Sequence, residues 1–469
     1  MGNSSSTSLD LRPPWPYLRE SGGKMSAEDG RKKLRDIYSF IEDHLYFNRP
    51  DVDLKGERYN SALLFGLLTC LVQGKELIVG EPGLGKTTSA EYVASLFYRI
   101  PLGLIWGSEV AGHPEQTEEK IVGRPDLGKL NMGEEAVVWS NFVQLPVKIV
   151  DEINRLPETK QSMILDGVDR GNWEYLNELL INEEFCLFAT ANYQDRGTNT
   201  IVAPLLDRFD VMVESRHPGP NLSFFVGTRE DKDRILRNPE CERALQEVLA
   251  EKKPYHEKLP DMEAICARYG EYLKEKLGLE TLDRSERELM RAQVRELPFD
   301  MDADAFARTV LAELSFCYQY GQKRSDEACE EGCHYTGYLC HAVQNCASNR
   351  LPSSLQRYSK ALAWFLEDDR VDVEHVRTVF PYAMAHRVRW KEAYASKRRR
   401  ELREDPLPIY LAKQAVSEVF RRYNEQKEEI KNALALAFRI LEGEELEPAS
   451  GDHPIYVEIQ KDLGRRVRD

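Results

Sequence analysis

The sequence has no long apolar run. Its longest, Ala62 to Val72, contains Gly66, Thr69 and Cys70 and falls well short of the roughly 20 apolar residues that cross a bilayer. The start lacks the basic flank and apolar stretch of a secretory leader, so a cytoplasmic protein is expected. Positive charge is also short. Sixty-four Lys and Arg face 79 Asp and Glu, a formal net charge of −15, which disfavours tracking a phosphate backbone as the main task. Cysteines number only nine, and without an export signal they are not expected to form a disulfide framework. Cys70, Cys186, Cys241 and Cys266 stand apart in the sequence and read as core or surface residues. A chain of 469 residues that is 42% hydrophobic and 30% charged is globular and too long for one core, so two or three domains are expected.

What is present begins with Gly80-Glu81-Pro82-Gly83-Leu84-Gly85-Lys86-Thr87-Thr88. It follows the strand-like Glu76-Leu77-Ile78-Val79 and opens a helix-like stretch running to Phe97. Strand, glycine-rich turn and helix in that order form a phosphate-binding loop. Its backbone N–H groups point inward at an anion, and the helix N-terminus adds its positive dipole end. Lys86 is expected on the β- and γ-phosphates and Thr87 on Mg²⁺. About 65 residues further on, the buried strand Val147 to Val150 ends in Asp151-Glu152, at the sheet edge where open α/β folds bind ligands. Asp151 suits Mg²⁺ and Glu152 suits the attacking water, so the pair predicts hydrolysis of a nucleotide. A third strand, Phe185 to Thr190, leads to Asn192. Its amide can bond the γ-phosphate or the lytic water, or simply form an Asx-turn.

The order GEPGLGKTT, VDEINRLPETKQSMILDGVDRG, FATANYQDRGTNT and LLDRFD resembles the AAA+ ATPases, and within them the MoxR branch. The likeness is strong over residues 50–215 and looser over 345–392. It implies an α/β core of parallel sheet and flanking helices, followed by an all-α lid and a helical C-terminal region. Lys86 and Thr87 then correspond to the Walker A pair, and Asp151 and Glu152 to the Walker B pair. Asn192 resembles sensor 1 and Arg208 the arginine finger that enters a neighbouring subunit's site. Arg350, in Ala347-Ser348-Asn349-Arg350-Leu351, resembles sensor 2, although the family usually carries proline where Asn349 stands and Pro352 is extra. The resemblance further implies ATP as substrate, a homo-oligomeric ring of six, a protein client, and a von Willebrand factor A domain partner. A nucleic-acid-directed motor and a non-motor scaffold are the competing readings.

The expected organisation is a tail over 1–30, a nucleotide-binding core over 31–217, a helical linker over 218–300, a lid over 301–392 and a helical region over 393–469. The tail begins Met1-Gly2-Asn3-Ser4, which formally fits N-myristoylation but reads better as a serine-rich tail. Val122 to Gly128 occupies the place of the MoxR insert that faces the central pore, and Gly171 to Asn182 the place of the insertion before sensor 1. The lid contains one departure from the family. Cys317, Cys329, Cys333 and Cys340 cluster there, with Cys346 close behind and His334 and His341 alongside. Such spacing predicts one bound Zn²⁺, with an iron–sulfur cluster as the alternative.

Overall fold

The computed structural model describes residues 27–133, 135–192, 201–228, 232–317, 321–322, 337–402, 408–451, 453–456 and 458–460. Helix α1 spans Ala27–Phe40 and passes into a π-turn at Ile41–Leu45. It therefore includes residues ahead of the expected boundary at residue 31. Helix α2, Ser61–Val72, is the apolar run noted above. Asn60 caps it by accepting from Leu63 N, and every residue from Ser61 to Leu71 is buried. It is an internal helix, apolar on all sides because it is covered on all sides.

Strand β1, Lys75–Val79, leads through the glycine-rich loop into α3, Lys86–Tyr98. Strand β2 is the short Val110–Ala111, β3 is Val147–Asp151, and helix α4 is Glu158–Arg170. Strand β4, Cys186–Ala191, and strand β5, Val211–Glu214, complete the sheet. The order is β5-β1-β4-β3-β2, with all four pairings parallel. The central strands β1 and β4 pair Ala191 with Val79, so the loop after β1 and Asn192 after β4 emerge side by side. Two antiparallel hairpins interrupt this scheme. One pairs Gly123–Pro125 with Val137–Trp139, and the other pairs Asn172–Tyr175 with Glu178–Ile181. They lie where the two insertions were expected.

Beyond Pro220 the described residues are almost entirely helical. Helices α5, Tyr255–Leu277, and α6, Arg284–Glu296, lie against the core, and α7, Met301–Ser315, follows them. Helix α8 spans Arg350–Phe365, α9 Val373–Met384 and α10 Pro408–Leu441. Helix α8 begins at Arg350, the candidate sensor 2 residue. Pro352 falls in its first turn, where a missing N–H removes no helical hydrogen bond. Tyr358 and Trp364 of α8 are fully buried, and Tyr358 Oη meets Thr69 Oγ1 of α2 at 2.8 Å, so lid and core share one interior.

The core holds two features that residue spacing does not display. Strand β3 is buried over 147–150 as expected, Lys148 included, and the Lys148 ammonium donates to Val143 O at 3.2 Å and to Leu145 O. Burial pushes its pKa down to about 7. Cys70 and Cys186 are not isolated from each other, since their Sγ atoms lie 3.9 Å apart in the core. Sequence spacing could not show that pairing, because the two residues come from α2 and β4.

Candidate nucleotide-hydrolysis site

The site forms at the C-terminal edge of β1, β3 and β4. Gly85 caps α3 in the left-handed region at φ +74, and a Cβ there would meet the Tyr46 ring at 3.2 Å. The dihedral angle favours glycine, and the ring leaves little room for a side chain. Tyr46 and Ser215 brace the loop from below: their hydroxyls lie 3.2 Å apart, and Ser215 Oγ donates to Leu84 O at 2.7 Å.

Lys86 curls into this loop. Its Nζ donates to Gly80 O at 3.1 Å, to Glu81 O at 2.9 Å and to Asn192 Oδ1 at 2.8 Å. Burial lowers its pKa, while Asp151, Glu152 and Glu81 oppose that fall. Thr87 Oγ1 donates to Asp151 Oδ1 at 2.6 Å, and Thr190 Oγ1 donates to the same oxygen at 2.7 Å. A hydroxyl and a carboxylate meeting at one point form the hard oxygen set that Mg²⁺ prefers, so Thr87 and Asp151 fit that ion. Glu81, Pro82, Gly83 and Leu84 form the open lip of the loop, and Thr88 lies in the first turn of α3.

Glu152 adopts φ +50 and ψ +52, a left-handed conformation that a non-glycine residue holds only when its surroundings insist. Its N–H donates to Thr190 Oγ1 at 2.8 Å. Its carboxylate accepts from Asn192 Nδ2 at 2.7 Å and pairs with Arg155 at 2.8 Å. Asn192 therefore bridges Lys86 and Glu152, its carbonyl oxygen on one and its amide nitrogen on the other. A carboxylate so oriented can accept a proton from a water, and an ammonium beside it can neutralise phosphate charge.

The remaining sequence candidates lie beside this centre. Arg208 pairs with Asp166 and, at 3.8 Å, with Asp169, both on α4. Arg350 is half exposed and pairs with Asp207 at 3.2 Å, next to Arg208. Of the cysteine cluster, Cys340 is buried on the short helix Leu339–Ala342 and Cys346 is half-buried. Cys329 and Cys333 lie outside the described residues, as does the side chain of Cys317. Among the described residues, no three His, Cys, Asp or Glu side chains are grouped to hold a metal.

Sequence reasoning missed three supports of the site. Thr190 fixes both Asp151 and the Glu152 backbone, Arg155 holds Glu152, and Gly112 lies against β3. A Cβ on Gly112 would fall 2.1 Å from Glu152 O and 2.8 Å from Asp151 O. The only signal for Thr190 was a hydroxyl one residue before the end of an otherwise apolar strand. Gly112 had none, because its neighbour is distant in sequence.

Residues 76–209 match the family model described as the AAA domain of the dynein-related subfamily, and residues 342–407 match that of the AAA lid domain. With the strand order and the site above, these two segments are the ATPase domain and the lid of an AAA+ ATPase. A crystal structure of a proposed ATPase from Cytophaga hutchinsonii ATCC 33406 aligns with TM-score 0.57 and 15% identity. The alignment covers 84% of this chain and 95% of that one, a likeness of fold. No curated protein sequence matches the chain. Among the described residues, no helix is long and apolar enough to cross a membrane.

Proposed function

We propose that this chain is a MoxR-type AAA+ ATPase that works as a ring, most simply a hexamer, and uses ATP hydrolysis to remodel or help assemble a protein client. In this reading Lys86 binds the β- and γ-phosphates. Thr87 and Asp151 hold Mg²⁺, which when bound offsets charge on the phosphates. Glu152 takes the proton of the attacking water, with Asn192 keeping its carboxylate aimed. Arg208 reaches the site of the next subunit and Arg350 contacts the γ-phosphate from the lid. A von Willebrand factor A domain partner is implied by the MoxR resemblance alone. The zinc site at Cys317, Cys329, Cys333 and Cys340, or an iron–sulfur cluster there, rests on sequence spacing alone.

The observation that carries the protein-client reading is the chemistry of the two hairpin inserts. Leu127, Leu130 and Met132 at the end of the first are 70%, 47% and 72% exposed, and Leu179 and Ile181 on the second are 55% and 57% exposed. The hairpins touch at their turn ends, since Val137 N donates to Glu178 Oε1 at 3.1 Å, which brings Leu179 beside the first insert while Ile181 lies further down the second hairpin. A strand of nucleic acid would call for a basic track there. Here Lys120, Arg124 and Lys129 are interspersed with Glu118, Glu119, Glu174 and Glu178, so the basic residues form no unbroken track beside the bare leucine, isoleucine and methionine, a surface suited to apolar segments of another polypeptide. The test is the ATPase rate with and without an unfolded protein such as reduced, carboxymethylated lactalbumin. Stimulation of the native protein, absent in a Leu127→Ser, Met132→Ser double variant with an unchanged basal rate, supports the reading. Stimulation by single-stranded DNA and not by unfolded protein would overturn it.

A further inference from the structure

We propose that Arg387, in the lid, is a positioning residue for Arg208, so that the lid of one subunit sets the finger presented to the next. The inference rests on the reading of Arg208 as that finger. Arg208 lies in the turn Asp207-Arg208-Phe209-Asp210 between the short helix Ala203–Leu206 and β5. Its own side chain reaches only to α4 in the contacts above, which leaves the direction of the turn to be fixed through its backbone.

That backbone is held from the lid. Arg387 follows α9, and its side chain is 2% exposed. Its Nη2 donates to Phe209 O at 2.6 Å and to Asp207 O at 3.3 Å, and its Nη1 donates to Asp210 O at 3.2 Å. Three carbonyls flanking Arg208 thus converge on one guanidinium. Its Nη2 also donates to Ser354 Oγ at 3.0 Å, and its Nε lies 3.3 Å from Asp207 Oδ1. His386 adds Nε2 on Phe209 O at 2.9 Å. Only the planar fork of arginine offers donors in enough directions for such a grip; a lysine ammonium supplies the charge from a single point.

The acidic residues of the turn are held by the same lid surface. Ser348 Oγ donates to Asp207 Oδ1 at 2.6 Å, Arg350 Nη1 donates to Asp207 Oδ2 at 3.2 Å, and Ser354 Oγ donates to Asp210 Oδ1 at 2.7 Å. Asp207 therefore joins Arg350, the candidate γ-phosphate contact of one site, to the turn that carries the finger for the next. A lid that shifts with its own nucleotide must drag this turn along.

The test uses the full-length chain with Arg387→Lys, and with Asp207→Asn as a milder second variant that keeps the shape of the turn. Both should lower kcat, Arg387→Lys on the order of 10²-fold, while KM for ATP stays within about two-fold, because the variant's own pocket is intact. Mixed oligomers locate the defect. Arg387→Lys mixed with Lys86→Ala should regain activity, since the Lys86→Ala subunit still supplies a sound finger. Arg387→Lys mixed with Arg208→Ala should not, since neither subunit supplies one. The reverse pattern, or a raised KM as the main effect, would put Arg387 in its own subunit's pocket and overturn the inference. The control mixture of Arg208→Ala with Lys86→Ala separates the two claims. If it fails to regain activity, the finger reading falls and this inference with it; if it succeeds while the Arg387→Lys pattern is reversed, only this inference falls.

Discussion

Replacing Glu184 with glutamine would leave two buried guanidinium groups without their counter-charge. Glu184 lies between the second hairpin and β4, and α6 brings Arg287 onto both of its oxygens at 2.8 and 2.9 Å. Arg291 of the same helix adds a third contact at 2.7 Å. All three side chains are nearly buried, at 11%, 8% and 7% exposure. Burial alone would raise the carboxyl pKa, but Arg287 and Arg291 outweigh it and hold Glu184 at about 2, against an ordinary 4.5. That difference corresponds to about 3 kcal/mol of stability at neutral pH, in line with the ~3–5 kcal/mol lost when one partner of a buried pair is removed. The folded-state value is depressed, so this stability is complete above the unfolded pKa near 4.5 and fades as pH falls through about 2. The assay is hydrogen–deuterium exchange of the α6 amides. In Glu184→Gln at pH 7 their exchange should quicken by on the order of 10²-fold. A change of less than about three-fold would refute the reasoning, because the pair would then be held by the surrounding packing and not by its charges.

Two other outcomes follow from single contacts and spacings. Gly112→Ala forces a methyl group against the Asp151 and Glu152 carbonyls, so kcat should fall on the order of 10-fold or more while ATP binding persists; a wild-type kcat by steady-state kinetics would contradict it. Protein purified under reducing conditions should carry about one equivalent of zinc by elemental analysis, lost in Cys329→Ser; no metal in the native protein would return the cluster to incidental cysteines.

The sequence displayed the nucleotide site unusually well because its parts are local. A glycine loop between strand and helix, and a carboxylate pair at a strand end, are defined by neighbours in the chain, and the fold brings Lys86, Thr87, Asp151, Glu152 and Asn192 into one cluster of contacts. Strand identity was equally legible, since β3 and β4 are nearly continuous runs of buried residues. What sequence could not give was the second layer around these residues. The approach of Gly112 to β3, the grip of Arg387 on the turn at Arg208, and the Cys70–Cys186 neighbourhood all join segments far apart in the chain. The buried strand Val147 to Val150 was legible, but not how its lysine is satisfied: Lys148 donates to the carbonyls of Val143 and Leu145 just ahead of the strand.

Glu152→Gln tests the central claim most directly. The amide keeps the size of the side chain and its place beside Asn192, but it cannot take a proton from water. Nucleotide binding, measured with a fluorescent ATP analogue, should stay within about three-fold of wild type, while turnover falls by on the order of 10²-fold or more. Turnover at the wild-type rate would show that Glu152 is not the group that activates water, and the account of this site would fail.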